Sequence, residues 1–251
     1  MMNESQPNGL RRRLRFSLAT LLVAVTMFCI WLGIYVNRAS KQRRVVTSIE
    51  KLLGQVIYDY QIDESGYKKV ERDTNGKSIG LARPPGPRWL RSMLGIDYFA
   101  TVTAVRFLNR KIRDKDLELL TSLPRLRAVS IWGPNIADEG LIHLSSLTDL
   151  RTLELIATTE TDVSLQMFSN FQSLRKLYLS SPNITDDGVP ALCKIQNLES
   201  LSLQQTQVTD AGIKHLASVR TLRHIMLYNT KVTPDGVASL RKSLPDCRIS
   251  H

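Results

Sequence analysis

The sequence predicts an α/β fold. It is a solenoid with parallel strands on its concave face and short helices on its convex face, preceded by a single transmembrane helix. Three observations predict it. From Val102 to the C-terminus a pattern of apolar residues returns every 24 positions. Each return holds two periods, one of two residues and one of three to four, the marks of a half-buried strand and an amphipathic helix. Residues 16–36 contain no charged residue.

The copies begin at Val102, Leu126, Leu150, Leu174, Leu198 and Leu222 and read VTAVRF, LRAVSI, LRTLEL, LRKLYL, LESLSL and LRHIML. A polar turn and a second apolar set follow. The fourth copy gives Ile184, then TDDG, then Val189, Leu192 and Ile195; the fifth gives Val208, TDAG, Ile213, Leu216 and Val219; the sixth gives Val232, TPDG, Val237, Leu240 and Leu244. Thr-Asp-x-Gly reads as a helix start, with a capping side chain and acids beside the positive end of the dipole. The third copy lacks the full element between Thr158 and Ser164, which predicts an irregular helix start there. A single unit cannot bury both apolar faces, whereas stacked units share one core.

These residues resemble the leucine-rich repeat family, in the subclass whose units read LxxLxLxxTxITDxGLxxL. That subclass occurs in many bacterial proteins and in the substrate-binding repeats of F-box proteins. The resemblance covers residues 102–251, six repeats. It implies the solenoid fold and says little about function. No F-box-like helical segment stands before the repeats.

The net charge is +11. Residues 1–44 hold eight Lys/Arg against Glu4, so most of the excess brackets the apolar segment. It is not a stripe on a folded surface, and a nucleic-acid partner is set aside. A helix over residues 16–36 would reach about 31 Å, enough for the hydrocarbon layer of a bilayer. In a cleaved signal peptide the apolar run would be shorter and followed by small residues. Here Asn37 and Arg38 precede Ala39 and Ser40, and the segment reads as an uncleaved anchor. Arg11, Arg12, Arg13 and Arg15 lie before it, and Arg38, Lys41, Arg43 and Arg44 after it. The front cluster is denser, which favours a cytoplasmic N-terminus and repeats on the outer side of the membrane.

Residues 1–15 read as a basic disordered tail. Residues 37–101 read as a stalk helix, a small strand/turn segment and an N-terminal cap of the solenoid. The helix is expected to run to Leu53 with Gly54 as its stop. Val56, Tyr58, Tyr60 and Ile62 alternate as a strand, Asp63–Gly66 is a turn, and Tyr67–Val70 returns as a second strand. Arg72–Gly86 is expected to be irregular, with a turn at Asn75-Gly76. Trp89, Leu90, Met93 and Leu94 form one helix face, predicted to cover the first core layer together with Tyr98 and Phe99. The whole order resembles a recurrent bacterial architecture: a basic N-terminus, the anchor at Phe16–Leu22, Leu53-Gly54, the strand at Val56–Tyr60, then repeats. That resemblance implies an inner-membrane protein and no particular activity.

No catalytic, cofactor-binding or metal-ligating set emerges. Cys29, Cys193 and Cys247 match neither a zinc site nor a disulfide framework. His143 and His215 share a helix position three units apart, roughly 15 Å at the usual strand spacing. Asp138, Asp186, Asp187, Asp210 and Asp235 recur at helix starts and read as caps and dipole partners rather than a calcium ladder. No cofactor and no small-molecule substrate are implied.

What remains is the face that the strands show to solvent. Its columns read Ala104, Ala128, Thr152, Lys176, Ser200, His224; then Arg106, Ser130, Glu154, Tyr178, Ser202, Met226; then Leu108, Trp132, Ile156, Ser180, Gln204, Tyr228. Large side chains where water is expected, with Arg, Tyr and Trp among them, suit an interface. The candidate binding residues are Arg106, Trp132, Glu154, Tyr178, Gln204, Met226 and Tyr228. The reading is a membrane-anchored, non-enzymatic module that holds another protein or peptide on its concave sheet. The alternative is a membrane-bound enzyme with an unrecognised site in residues 45–101 or on the concave face, where Glu154, Lys176 and His224 are the titratable groups.

Overall fold

A computed structural model describes residues 18–61, 70–72, 78–108 and 110–251. The expected tail, the Asp63–Gly66 turn, Tyr67 and the Asn75-Gly76 turn lie outside the described residues. The chain forms two compact units, Met1–Ala39 and Ser40–His251.

Helix α1 (Leu18–Lys51) gives its first part to the first unit. Its apolar stretch has a mean hydropathy of 2.2 and is long and apolar enough to cross a membrane; none of it is buried within the protein. Leu22, Phe28, Trp31 and Ile34 are exposed. The Thr26 hydroxyl donates back to the Val23 carbonyl (2.8 Å), which satisfies it inside the helix.

In the second unit the end of α1 turns inward. Val45, Val46 and Ile49 join the apolar core. The helix stops in a Schellman turn, with the Gly54 amide on the Ile49 carbonyl and the Leu53 amide on that of Glu50, both at 2.9 Å. The left-handed residue is Leu53 (φ 58°), not Gly54. Gly54 is required for a different reason: a Cβ there would meet Ile49 Cγ2 at 2.6 Å and the Phe107 ring at 2.7 Å.

Strand β1 (Gln55–Tyr58) follows; the alternation expected to continue through Tyr60 ends in a turn at residues 59–61. Next, β2 (Val70–Arg72) and β3 (Ser78–Leu81) pair antiparallel in a separate two-stranded sheet. This corrects the irregular reading of Arg72–Gly86. Helix α2 (Arg88–Leu94) forms where expected but buries no residue. Trp89 is 65% exposed and Met93 72%. The first core layer is closed instead by Ile49 of α1 and by β1, which pairs antiparallel with β4 (Val102–Phe107).

The repeats then run in register. The strands are β4, β5 (Ala128–Trp132), β6 (Thr152–Ile156), β7 (Lys176–Ser180), β8 (Ser200–Leu203), β9 (His224–Met226) and β10 (Arg248–Ser250). With β1 at one edge they make one eight-stranded sheet, parallel from β4 to β10. Alternate residues are buried: Leu153, Leu155, Leu177, Leu179, Leu201 and Leu203 all lie inside. Opposite the sheet stand short helices: a 3-10 helix at Asp114–Ser122, then α3 (Asp138–Leu144), α4 (Asp162–Leu165), α5 (Val189–Leu192), α6 (Asp210–Leu216) and α7 (Pro234–Ser243).

A ladder of aspartates joins the helix starts. Asp138, Asp162, Asp186 and Asp210 each reach the next unit, where Oδ1 accepts the amide and Oδ2 the hydroxyl of Thr161, Thr185, Thr209 and Thr233 at 2.6–2.9 Å. Asp114 does the same for the Ala137 amide at 2.8 Å. The threonine oxygens in turn cap their own helices. A Cβ at Gly140, Gly188, Gly212 or Gly236 would run into the aspartate of the preceding unit; unit three carries Ser164 at that position, its hydroxyl bonded back to the Thr161 carbonyl. All five aspartates expected to face the dipole lie in first turns, and Asp138, Asp186 and Asp210 in addition tie neighbouring units together. Asp114 and Asp162 belong to the same ladder. In unit six Pro234 stands at the ladder position.

Unit three keeps Thr161 and Asp162 and starts its helix regularly; the helix is short and passes into a 3-10 turn at Gln166–Asn170. Its irregularity lies elsewhere. Ile112, Ile136, Ile184, Val208 and Val232 fill one buried column, and unit three places Glu160 there, fully buried. Neither carboxyl oxygen has a hydrogen-bond partner among the described residues.

Candidate functional site

The open strand face has the three columns expected from the repeat. Sheet pairing aligns Ala104, Ala128, Thr152, Lys176, Ser200, His224 and Arg248 in one row, and Gln55, Arg106, Ser130, Glu154, Tyr178, Ser202, Met226 and Ser250 in the next. In the third, Trp132, Ile156 and Ser180 pair directly. Leu108, Gln204 and Tyr228 stand just past their strands.

Exposure within the columns is uneven. Arg106, Leu108, Trp132, His224 and Tyr228 are exposed, and Glu154, Tyr178, Gln204 and Met226 half-buried. Ser130, Ser180, Ser200 and Ser202 are buried, contrary to a uniformly solvated face. Larger neighbours cover them and satisfy three of their hydroxyls. Ser130 donates to Glu154 Oε2 (2.7 Å), Ser180 to Gln205 Oε1 (2.8 Å), and Ser200 meets the Tyr178 hydroxyl (3.4 Å). Gln204 donates to the Met226 sulfur (3.6 Å). The result is a floor of small residues under a set of large ones, with rotamers restrained by hydrogen bonds.

The seven candidate residues do not form one cluster. Trp132 lies beside Leu108 and Ile156 at one end, an apolar strip on the trailing edge of the strands. Tyr178 and Met226 lie at the other end, in a groove of about 540 Å³ that also takes in Lys176, Ser200, His224 and Arg248. Glu154, Lys176 and His224 sit on β6, β7 and β9. Two strand spacings separate Lys176 from His224 and three separate Glu154 from it, about 10 and 14 Å between backbones. His224 thus stands apart from Glu154 and Lys176, which lie on adjacent strands.

One set escaped the column reading. From the second unit on, the second residue of each unit gives Arg127, Arg151, Arg175, Glu199 and Arg223 along the leading edge of the strands. Arg175 pairs with Glu199, and Arg223 lies 4.0 Å from Asp246. The recurrent LR in four of the six motifs is the signal that would have found them.

Away from the face, burial pushes the Glu160 carboxyl up from its ordinary 4.5 to about 7. The Thr233 hydroxyl and amide hold Asp210 below the usual carboxylate range. Burial and the neighbouring Asp97 carboxylate, which accepts from its hydroxyl (3.2 Å), raise Tyr58 well above the ordinary phenol range.

A family model described as Leucine Rich repeat matches residues 172–193 and 194–217. No curated protein is significantly similar to the chain. Among solved structures, a leucine-rich repeat protein of Leptospira interrogans is 19% identical over 53% of this chain and 33% of its own, with a TM-score of 0.40. An internalin (inlF) from Listeria monocytogenes is 17% identical over 59% and 47%, with a TM-score of 0.41. Internalin C2 from the same organism is 20% identical over 61% and 75%, with a TM-score of 0.45. The chain thus spans a third to a half of the first two proteins. With its 24-residue register, the parallel sheet that register builds and the two units matched by the family model, the chain folds as a leucine-rich repeat solenoid.

Proposed function

We propose that the chain is a membrane-anchored protein-interaction module. Residues 16–36 hold it in a bilayer, the N-terminus is cytoplasmic, and the open face of the sheet docks another protein on the far side. Arg106, Trp132, Glu154, Tyr178, Gln204, Met226 and Tyr228 form the docking surface. The observation that carries this reading is the exposure of Trp132 (48%) and Tyr228 (46%) beside a floor of buried serines. Aromatic side chains over a small-residue floor give anchors with little conformational entropy to lose on binding. Internalins and the Leptospira protein share the repeat fold only and lend no partner.

The test is substitution of Trp132, Tyr178 and Tyr228 by Ala, followed by crosslinking pull-down from membranes. The partner recovered with the native chain should be lost. Unchanged recovery would contradict the docking face.

A further inference from the structure

The repeats hold 18 Lys/Arg and 15 Asp/Glu, a modest excess. The fold does not spread it evenly. The face columns and the leading edge together hold seven cations, Arg106, Arg127, Arg151, Arg175, Lys176, Arg223 and Arg248, against Glu154 and Glu199. The rest of the solenoid has eleven cations and thirteen carboxylates. All of the positive excess of the repeats therefore lies on the strand side, a second concentration besides the one around the apolar helix.

Part of it is paired: Arg175 with Glu199, and Arg223 lies 4.0 Å from the largely exposed Asp246. Among the described residues, Arg127 and Arg151 have no ion pair. The backbone sets them one strand apart, with the Arg151 amide on the Arg127 carbonyl and the Arg175 amide on the Arg151 carbonyl. These two guanidinium groups on consecutive strands, about 4.8 Å apart at the backbone, repel one another. A bound carboxylate would remove that repulsion and would meet a fork that accepts it in bidentate fashion.

We propose that the docking face takes an extended acidic segment of its protein partner, laid across the strands with carboxylates toward Arg127, Arg151 and Arg223. The inference rests on the docking reading above and names the partner's chemistry. The sign pattern along the edge, three arginines, then Glu199, then Arg223, favours a polypeptide over a nucleic acid. A peptide can place a neutral or basic residue against Glu199, whereas a phosphate backbone cannot vary its charge. Along this edge the groove of about 540 Å³ offers Tyr178, Met226 and the buried Ser200 to the alternate side chains of the same strand.

The probe is a short fluorescent peptide alternating Glu and Ser, compared with one alternating Gln and Ser and with oligo-deoxythymidine, on the full chain in nanodiscs. The Glu peptide should bind at least about tenfold tighter than the Gln peptide at low salt, and the difference should collapse by about 0.5 M salt. Arg127→Gln/Arg151→Gln/Arg223→Gln should lose that preference, while Lys194→Gln/Lys231→Gln/Lys242→Gln, off the face, keeps it. Equal binding of the two peptides, equal loss in both variants, or tighter binding of the oligonucleotide overturns the inference. In the membrane pull-down the arginine variant should also lose the partner. Retention there, with loss in the Trp132/Tyr178/Tyr228 alanine variant, would sink the acidic partner and leave the docking face standing; retention in both would sink both.

Discussion

The carboxylate of Asp186 holds Thr209, one unit further along the chain, through two bonds: the amide donates to Oδ1 at 2.7 Å and the hydroxyl to Oδ2 at 2.6 Å. Thr209 then accepts the Ala211 amide and starts helix α6. Each helix start is thus organised by the unit before it, so stability travels from rung to rung as a nearest-neighbour term.

Asp186→Ala should therefore destabilise the repeats by about 1–3 kcal/mol, because two donors lose a charged acceptor. The loss should appear as faster amide exchange in units five and six before the other units respond. Asp235→Ala, which removes only a first-turn acid, should change stability by about 0.5 kcal/mol or less. Equal effects at the two positions would refute the ladder.

Glu160 gives a pH dependence of known sign. Its folded value of about 7 lies above the ordinary 4.5, so the folded state keeps a proton that the unfolded chain has released. Stability should fall as pH rises from about 4.5 to 7, by roughly 3 kcal/mol in all, and then level off. Glu160→Ile completes the apolar column and should flatten that slope and raise the melting temperature at pH 8. Asp210 acts with the opposite sign and in a lower window: its depressed value adds stability above the ordinary carboxylate range, lost as pH falls through it. Denaturant unfolding from about pH 4.5 to 8 reads Glu160, and its extension below about pH 4 reads Asp210.

Leu53 and Gly54 should respond in opposite directions. Leu53 holds a left-handed conformation with its side chain 65% exposed. Leu53→Gly should stabilise the second unit by about 0.5–1 kcal/mol. Gly54→Ala forces a methyl against Ile49 and Phe107 and should cost about 1–3 kcal/mol. Thermal melts of both variants check the pair.

The solenoid was legible because a strict period of 24 residues fixes both strand spacing and side-chain direction. The register of Ala104 to His224 and of Arg106 to Met226 followed from counting. What escaped depends on contacts between units or outside the period. The role of Asp186 is played in the next rung, which its own local pattern does not reveal. Ser130, Ser200 and Ser202 read as solvent-facing by alternation, yet they are buried, Ser130 against Glu154, Ser200 against Tyr178, and Ser202 between Tyr178 and Met226 in the sheet. The cap was misassigned because Trp89 and Met93 look like core residues by type, while the basic stalk supplies Val45, Val46 and Ile49 on one face of α1. Glu160 could have been found by lining up Ile112, Ile136, Ile184, Val208 and Val232, since it alone breaks that column.

Photo-crosslinking in membranes tests the docking face most directly. A crosslinking side chain placed singly at Trp132, Tyr178 or Tyr228 should capture one protein partner, and the same group at Ile142 or Val163, exposed on the helical side, should not. Capture from the helical positions with none from the strand face would contradict the account.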